Sequence, residues 1–304
     1  MYKNILTIDK DQIKALNISA QEEYDWVDAT LKAKDGYVLP VKTRMPLKET
    51  DYFNVMPCAL PSENVLGLKV VTRNENRRLK REPNIDGDIL LYSYSDFEPI
   101  ALMDGGFITT IRTAAVAVHS MLNLAPKRDI IAMVGLGNIG TEIGRILFEL
   151  TKDEELTIKL FRYKDHAEKF IERFKSYTNL SFIVCDNYED LMRDSDVIFS
   201  SITYIEDDFC DPAIYKDGCT VIPVHLRGFR ECDRTFDHII SSDMESIKKF
   251  KYYDQMKHIS YWDDVYKDIK GYQPKSRTLV YNLGLAVYDL YFASKIYKKL
   301  TNEA

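Results

Sequence analysis

Six consecutive residues, Gly135-Leu136-Gly137-Asn138-Ile139-Gly140, have the spacing of a phosphate-cradling turn. The apolar run Ile130 to Val134 precedes them directly, and a helical pattern carrying Ile143, Ile146, Leu147 and Leu150 follows. In that setting the first glycine permits a tight turn and the second lets a diphosphate approach the backbone. The third lets helix pack on strand, while the helix N-terminus offers amides and partial positive charge to the phosphates. Gly135, Gly137, Asn138, Ile139 and Gly140 are therefore expected to hold a dinucleotide. An acidic residue about twenty positions on would bind the ribose 2′-hydroxyl of NAD. Arg162 stands there instead, with Tyr163 and Lys164 beside it. A guanidinium can pair with a 2′-phosphate, so NADP(H) is favoured and NAD(H) is the alternative.

Isolated charges in apolar runs mark a second kind of chemistry. Lys69 lies inside Val65 to Val71, and Arg112 interrupts a helix of small and apolar residues. A cation there is costly unless an anion meets it. His225 follows the apolar run Thr220 to Val224, at the carboxyl end of a strand where α/β sheets bind ligands. An imidazole near its ordinary pKa could shuttle a proton at that place.

The elements that must position these residues fall into two patterns. Up to about Val71 the text reads as mixed α+β: a short strand from Ile5, an amphipathic helix from Gln21 to Lys34, then extended runs broken by Pro40, Pro46, Pro57 and Pro61. Arg73 to Arg81 is expected to be a polar loop, strands follow to about Met103, and a connecting helix runs from Thr109 to Ala125. From Asp129 strand and helix alternate, which predicts a doubly wound parallel sheet, and the chain closes with a short strand leading into an amphipathic helix.

With 304 residues, 45% of them hydrophobic and 29% charged, the chain can bury sizeable cores in about two domains. The net charge of −6 and the absence of a polybasic stripe disfavour a nucleic-acid partner. Five cysteines without a CxxC pair suit reduced thiols, and metal binding is not expected. No stretch has the run of roughly eighteen apolar residues of a membrane helix, so a cytoplasmic protein without membrane contact is expected.

Three segments resemble the ornithine cyclodeaminase and mu-crystallin family: DGGFITTIRTAAVAV (104 to 118), MVGLGNIG (133 to 140) and TLVYNLGLAVYDLYFA (278 to 293). Met56-Pro57 and the GLKVV run from Gly67 extend the similarity over nearly the whole chain. The resemblance implies a Rossmann domain at 115–278, inserted into a split α+β dimerisation and substrate domain at 1–114 and 279–304. It implies a homodimer, and an amino acid, keto acid or imine lying between the domains with its α-carboxylate held by Arg44, Lys69 and Arg112. Asn54, Met56, Leu283 and Gly284 fall at further substrate positions, and Thr113 joins the cofactor set.

Two departures bear on the chemistry. Asn54 stands where the cyclodeaminases carry an acid that helps bind the substrate amine, and Arg227 stands where they carry an Asp that moves protons. Arginine cannot act as a base near neutral pH. The catalytic set expected here is Lys69, His225 and Arg227, and the expected activity is hydride transfer at the α-carbon of an amino acid or its imine. The alternatives are cyclodeamination of ornithine to proline and NADPH binding without turnover. Arg227 and the Arg73 to Arg81 stretch raise a further expectation: a substrate with more negative charge than ornithine, such as a dicarboxylic amino acid or its keto-acid conjugate.

Overall fold

The computed structural model describes residues 5–48, 51–79, 85–202, 205–225, 227–274 and 276–302. It divides into two compact units, Met1–Arg112 with Gly284–Ala304, and Thr113–Leu283. The second thus interrupts the first in sequence.

In chain order the first unit contributes β1 (Leu6–Ile8), α1 (Lys10–Ala15), α2 (Ala20–Ala33), β2 (Thr43–Pro46), β3 (Tyr52–Leu60), β4 (Val65–Arg73), α3 (Glu75–Leu79), β5 (Ile85–Ser93) and β6 (Pro99–Asp104). Helix α4 (Gly105–Leu124) belongs to it as far as Arg112. The second unit then supplies β7 (Ile130–Val134), α5 (Asn138–Leu150), β8 (Leu156–Phe161), α6 (His166–Phe174), β9 (Leu180–Cys185), α7 (Tyr188–Met192) and β10 (Val197–Ser200). It continues with β11 (Thr220–Pro223), α8 (Arg230–Thr235), β12 (His238–Ser241), α9 (Met244–Ile247), β13 (Ile259–Tyr261), α10 (Trp262–Lys267) and β14 (Thr278–Tyr281). Helix α11 (Ala286–Thr301) returns to the first unit.

The first unit is a six-stranded mixed sheet in the order β1-β6-β5-β4-β3-β2. Strands β3 and β4 alternate strictly, burying Asn54, Met56, Cys58 and Leu60 on the one and Val65, Gly67, Lys69 and Val71 on the other. A period of two in burial means that one face is covered. Helix α11 packs against β3, β4, β5 and α2, and Trp26 of α2 meets Phe292 of α11 edge to face at 5.1 Å. Ser19 and Glu22 form a capping box that starts α2.

The second unit is an eight-stranded sheet, β13-β12-β14-β11-β10-β7-β8-β9, whose neighbouring pairs are all parallel. Every residue of β10, β11, β12 and β14 is buried, as strands covered on both faces require. The chain is therefore an α/β protein with a doubly wound parallel sheet set inside a split α+β unit.

Several local expectations need correction. The stretch expected to be a polar loop from Arg73 contains the end of β4 and the short helix α3, while Lys80 and Arg81 lie outside the described residues. The connecting helix begins four residues early, at Gly105, where the Asp104 carboxylate accepts the Phe107 amide at 2.7 Å. Strand β14 belongs to the second unit because it pairs with both β11 and β12, so the boundary falls after Leu283 rather than after residue 278. Helix α1 had a legible start, the capping box of Asp9 and Gln12. Among the described residues no helix is long and apolar enough to cross a membrane, and no cluster of His, Cys, Asp and Glu could hold a metal.

Candidate functional site

In the second unit the glycine elbow joins β7 to α5. Gly135 has φ +87°, and a Cβ there would fall 2.5 Å from the Ser201 carbonyl carbon. At Gly140 a Cβ would fall 2.2 Å from the Gly135 carbonyl oxygen. At Gly137 a Cβ would meet nothing within 4 Å, and Gly137 and Asn138 are exposed. The first and third glycines are thus required by the protein's own packing, and the second is the open floor that a diphosphate needs. Gly137 caps α5 without a side-chain hydrogen bond, so a thirteen-residue helix presents its amino end beside that floor. Ile139 is half-buried at the start of α5, and Thr113, on α4 in the same unit, is also half-buried. The residues present fit a dinucleotide.

Ser201 completes the elbow and was not anticipated from the sequence. Its hydroxyl donates to the Gly135 carbonyl, and its amide donates to Val134 at 2.8 Å. The legible signal was its place directly after the apolar run of β10, which pairs with β7.

Beside the elbow, Leu136 and Thr141 line a cleft of about 800 Å³ with Asp165, His166, Glu168 and Lys169. Arg162, just beyond β8, is exposed and already engaged: Nε donates to Asp186 Oδ1 at 2.5 Å and Nη1 to Glu168 Oε1 at 2.6 Å. Two carboxylates therefore already surround the guanidinium expected to pair with a 2′-phosphate. Tyr163 is exposed, and the Lys164 ammonium lies 5.2 Å from its ring centre.

His225 lies just past β11 in the same unit. The Arg227 amide donates to its Nδ1 at 3.2 Å, which makes Nδ1 the unprotonated nitrogen. Nε2 then carries the hydrogen and donates to Ser200 Oγ at 2.5 Å. Burial, with the Arg227 charge adding to it, holds the imidazole down at about 4. The idea of a histidine near its ordinary pKa is thus corrected: near neutral pH this ring is a fixed, uncharged donor.

In the first unit the cations gather around one unanticipated acid. Asp289 on α11 is buried, and its Oδ1 accepts from Lys69 Nζ at 2.9 Å and from Arg112 Nε at 2.8 Å. Its Oδ2 is buried with no partner among the described residues. Two cations and one carboxylate leave a buried cluster with one net positive charge, which calls for an anion. Burial pulls Lys69 down to about 8, against the attraction of Asp289 and with the help of Arg112. Met56 is directly opposite Lys69 across the β3–β4 pair. The Gly284 backbone is close to the guanidinium, since a Cβ there would sit 3.2 Å from Arg112 Nη2. Asn54 is buried on the same sheet face with Oδ1 unpartnered among the described residues. Arg44 also shares this face but lies on the edge strand β2, exposed, its guanidinium 4.3 Å from the Tyr52 ring centre. Arg44 therefore stands apart from the Lys69 and Arg112 pair. Leu283 is buried in the second unit, where its carbonyl accepts from Ser242 at 3.1 Å.

The sequence signal for Asp289 was a lone acid in the apolar run of α11, between Tyr288 and Leu290. An acid buried there must be paired with a cation.

The chain is similar to known proteins over most of its length. It is 22% identical to N-((2S)-2-amino-2-carboxyethyl)-L-glutamate dehydrogenase of Staphylococcus aureus, covering 98% of this chain and 96% of that one. It is 30% identical over 172 residues to the ketimine reductase mu-crystallin of Mus musculus, a match that spans 56% of this chain and about half (53%) of the mouse protein. Among solved structures, an archaeal alanine dehydrogenase dimer with bound NAD superposes with a TM-score of 0.83 at 18% identity, covering 99% of this chain and 97% of that one. The model of the ornithine cyclodeaminase/mu-crystallin family matches residues 7–217. The chain belongs to the ornithine cyclodeaminase/mu-crystallin family.

Proposed function

We propose that this protein is a nicotinamide-dependent oxidoreductase that reduces an imine of a 2-oxo acid to an amino acid, or runs that reaction in reverse. The observation that carries the reading is the buried Lys69–Asp289–Arg112 cluster, whose surplus positive charge suits an α-carboxylate. The dinucleotide, when bound, supplies or accepts a hydride at the nicotinamide C4. The elbow residues Gly135 to Gly140 and the α5 amino end would hold its phosphates, and Thr113 belongs to the same unit.

The protein's own groups do the rest. Arg112 grips the carboxylate and so fixes which face of the substrate carbon is presented. Lys69, lowered to about 8, still carries its proton at neutral pH and gives it up more readily than an exposed lysine. It is the proposed acid for the substrate nitrogen as that nitrogen becomes an amine. Met56 and Gly284 are proposed to shape the substrate's surroundings beside Lys69 and Arg112. Arg227 and His225 are proposed to position the Ser200 end of β10 rather than to move protons.

Reduction is favoured over cyclodeamination because Asn54 and Arg227 replace the two acids that the ornithine reaction uses. The activities of the similar proteins, a ketimine reductase and two dehydrogenases, support the same direction. For the cofactor, Asp186 and Glu168 around Arg162 oppose a 2′-phosphate, which supports NAD(H) over the NADP(H) expected from the sequence. A homodimer is also proposed. The archaeal relative is a dimer, and Val41, Met45 and Leu47 at the edge strand β2 leave apolar surface exposed.

Absorbance at 340 nm tests the reading. NADH should be consumed when a 2-oxo acid and an amine, or a cyclic ketimine, are supplied together. Tight NADH binding with no imine-dependent consumption would instead identify a binding protein without turnover.

A further inference from the structure

The register of β2, β3 and β4 places more than one anion contact on the first unit's sheet. Arg44 is opposite Asn54, Asn54 opposite Val71, Tyr52 opposite Arg73, and Met56 opposite Lys69. Directly opposed residues share a face, and so do residues two apart on a strand. Arg44, Tyr52, Asn54, Lys69 and Arg73 therefore line one face. Along β4 the order is Lys69, Val71, Arg73, so the backbones of the two cations are about 13 Å apart. Long side chains at both ends can bring their heads much closer.

Resting on the oxidoreductase reading above, we propose that Arg73 forms a second carboxylate subsite, so that the substrate is an imine or amine whose nitrogen lies between two carboxylates. Such a compound is what condensation of an amino acid with a 2-oxo acid, followed by reduction, produces.

Three observations support the assignment. The Arg73 guanidinium is mostly buried, and its Nε has no partner among the described residues. Its ionic contact with Glu75, Nη2 to Oε2 at 3.6 Å, is too long for a strong hydrogen bond. A buried guanidinium N–H without an acceptor is costly, and a carboxylate is the acceptor that fits its fork. Next, Tyr52, over whose ring Arg44 lies, is directly opposite Arg73 across the β3–β4 pair, so an aromatic ring and a further cation belong to the same sheet face. Finally, Asn54 stands at the level of Val71, between Lys69 and Arg73, with Oδ1 buried and unpartnered among the described residues. An acceptor in that place suits an N–H. The sequence of contacts is then carboxylate at the Lys69 and Arg112 cluster, nitrogen between Lys69 and Asn54, and carboxylate at Arg73.

Calorimetric titration of the full chain with NAD⁺ present tests this, using iminodiacetate against sarcosine, which keeps the nitrogen but lacks the second carboxylate. Iminodiacetate should bind at least tenfold more tightly. Arg73→Leu should bring the ratio of the two affinities to near one, and Arg73→Lys should restore part of it, with thermal melts confirming that both variants fold. A wild-type ratio near one, or a ratio that survives Arg73→Leu, overturns the subsite. Selectivity that behaves as expected, in a protein that consumes no NADH with any imine supplied, overturns the oxidoreductase reading and leaves the subsite standing.

Discussion

The Lys69 ammonium and the Asp289 carboxylate meet at 2.9 Å in the interior of the first unit, and Arg112 shares the same carboxylate oxygen at 2.8 Å. The acid comes from α11 and the cations from β4 and α4, so the cluster ties the last helix to the sheet. Removing the shared acid leaves two buried cations together. Asp289→Asn should therefore cost about 3–5 kcal/mol of stability, read by urea unfolding of the variant against the parent. A variant as stable as the parent would show that the pair is not structural.

Lys69 makes stability depend on alkaline pH. Its affinity for protons is lowered to about 8 in the folded chain, against an ordinary value of 10.5 in the unfolded one. Between those values the unfolded chain binds more protons, so its contribution to stability is least below pH 8 and rises until pH 10.5. The stability difference between the parent and Lys69→Met should shift in the parent's favour by about 3 kcal/mol across that window. A difference independent of pH would contradict the buried-lysine account.

His225 acts at the acid end. Its folded value of about 4 lies below the ordinary 6.5, so the stability it contributes is present above 6.5 and is lost as pH falls towards 4. His225→Asn should flatten that loss, and nitrogen NMR of the parent at pH 7 should show a neutral ring with hydrogen on Nε2. A ring titrating near 6.5 would restore it as a candidate proton shuttle.

Arg162 sets the cofactor prediction. With Asp186 and Glu168 in place, fluorescence titration should give tighter binding of NADH than of NADPH. Replacing both acids by alanine frees the guanidinium, and the ratio should move towards NADPH by about tenfold or more. If the parent already prefers NADPH, the two carboxylates do not govern the choice.

Much of this site was legible in the text because its parts break local rules. A glycine triplet between an apolar strand and a helix, a lysine inside an apolar run and an arginine among alanines each conflict with simple packing. Asp289 breaks the same rule, but its partners are 220 and 177 residues away, and no periodicity links them. The engagement of Arg162 was also hidden, since Asp186 reaches it from just past a different strand, β9. The short elements α1, α3 and β13 have too few residues for a period to emerge, and β14 joins the larger sheet through pairings made in three dimensions.

The most direct measurement follows the hydride itself. With NADH deuterated at C4 on the transferring face and a 2-oxo acid imine, the amino-acid product should carry deuterium on its α-carbon by mass spectrometry. Arg112→Ala should lower kcat/KM for that transfer by about 100-fold or more, because the carboxylate is no longer oriented, while NADH still binds. NADH bound with no deuterium in any amino acid, or transfer undiminished in Arg112→Ala, would contradict the account.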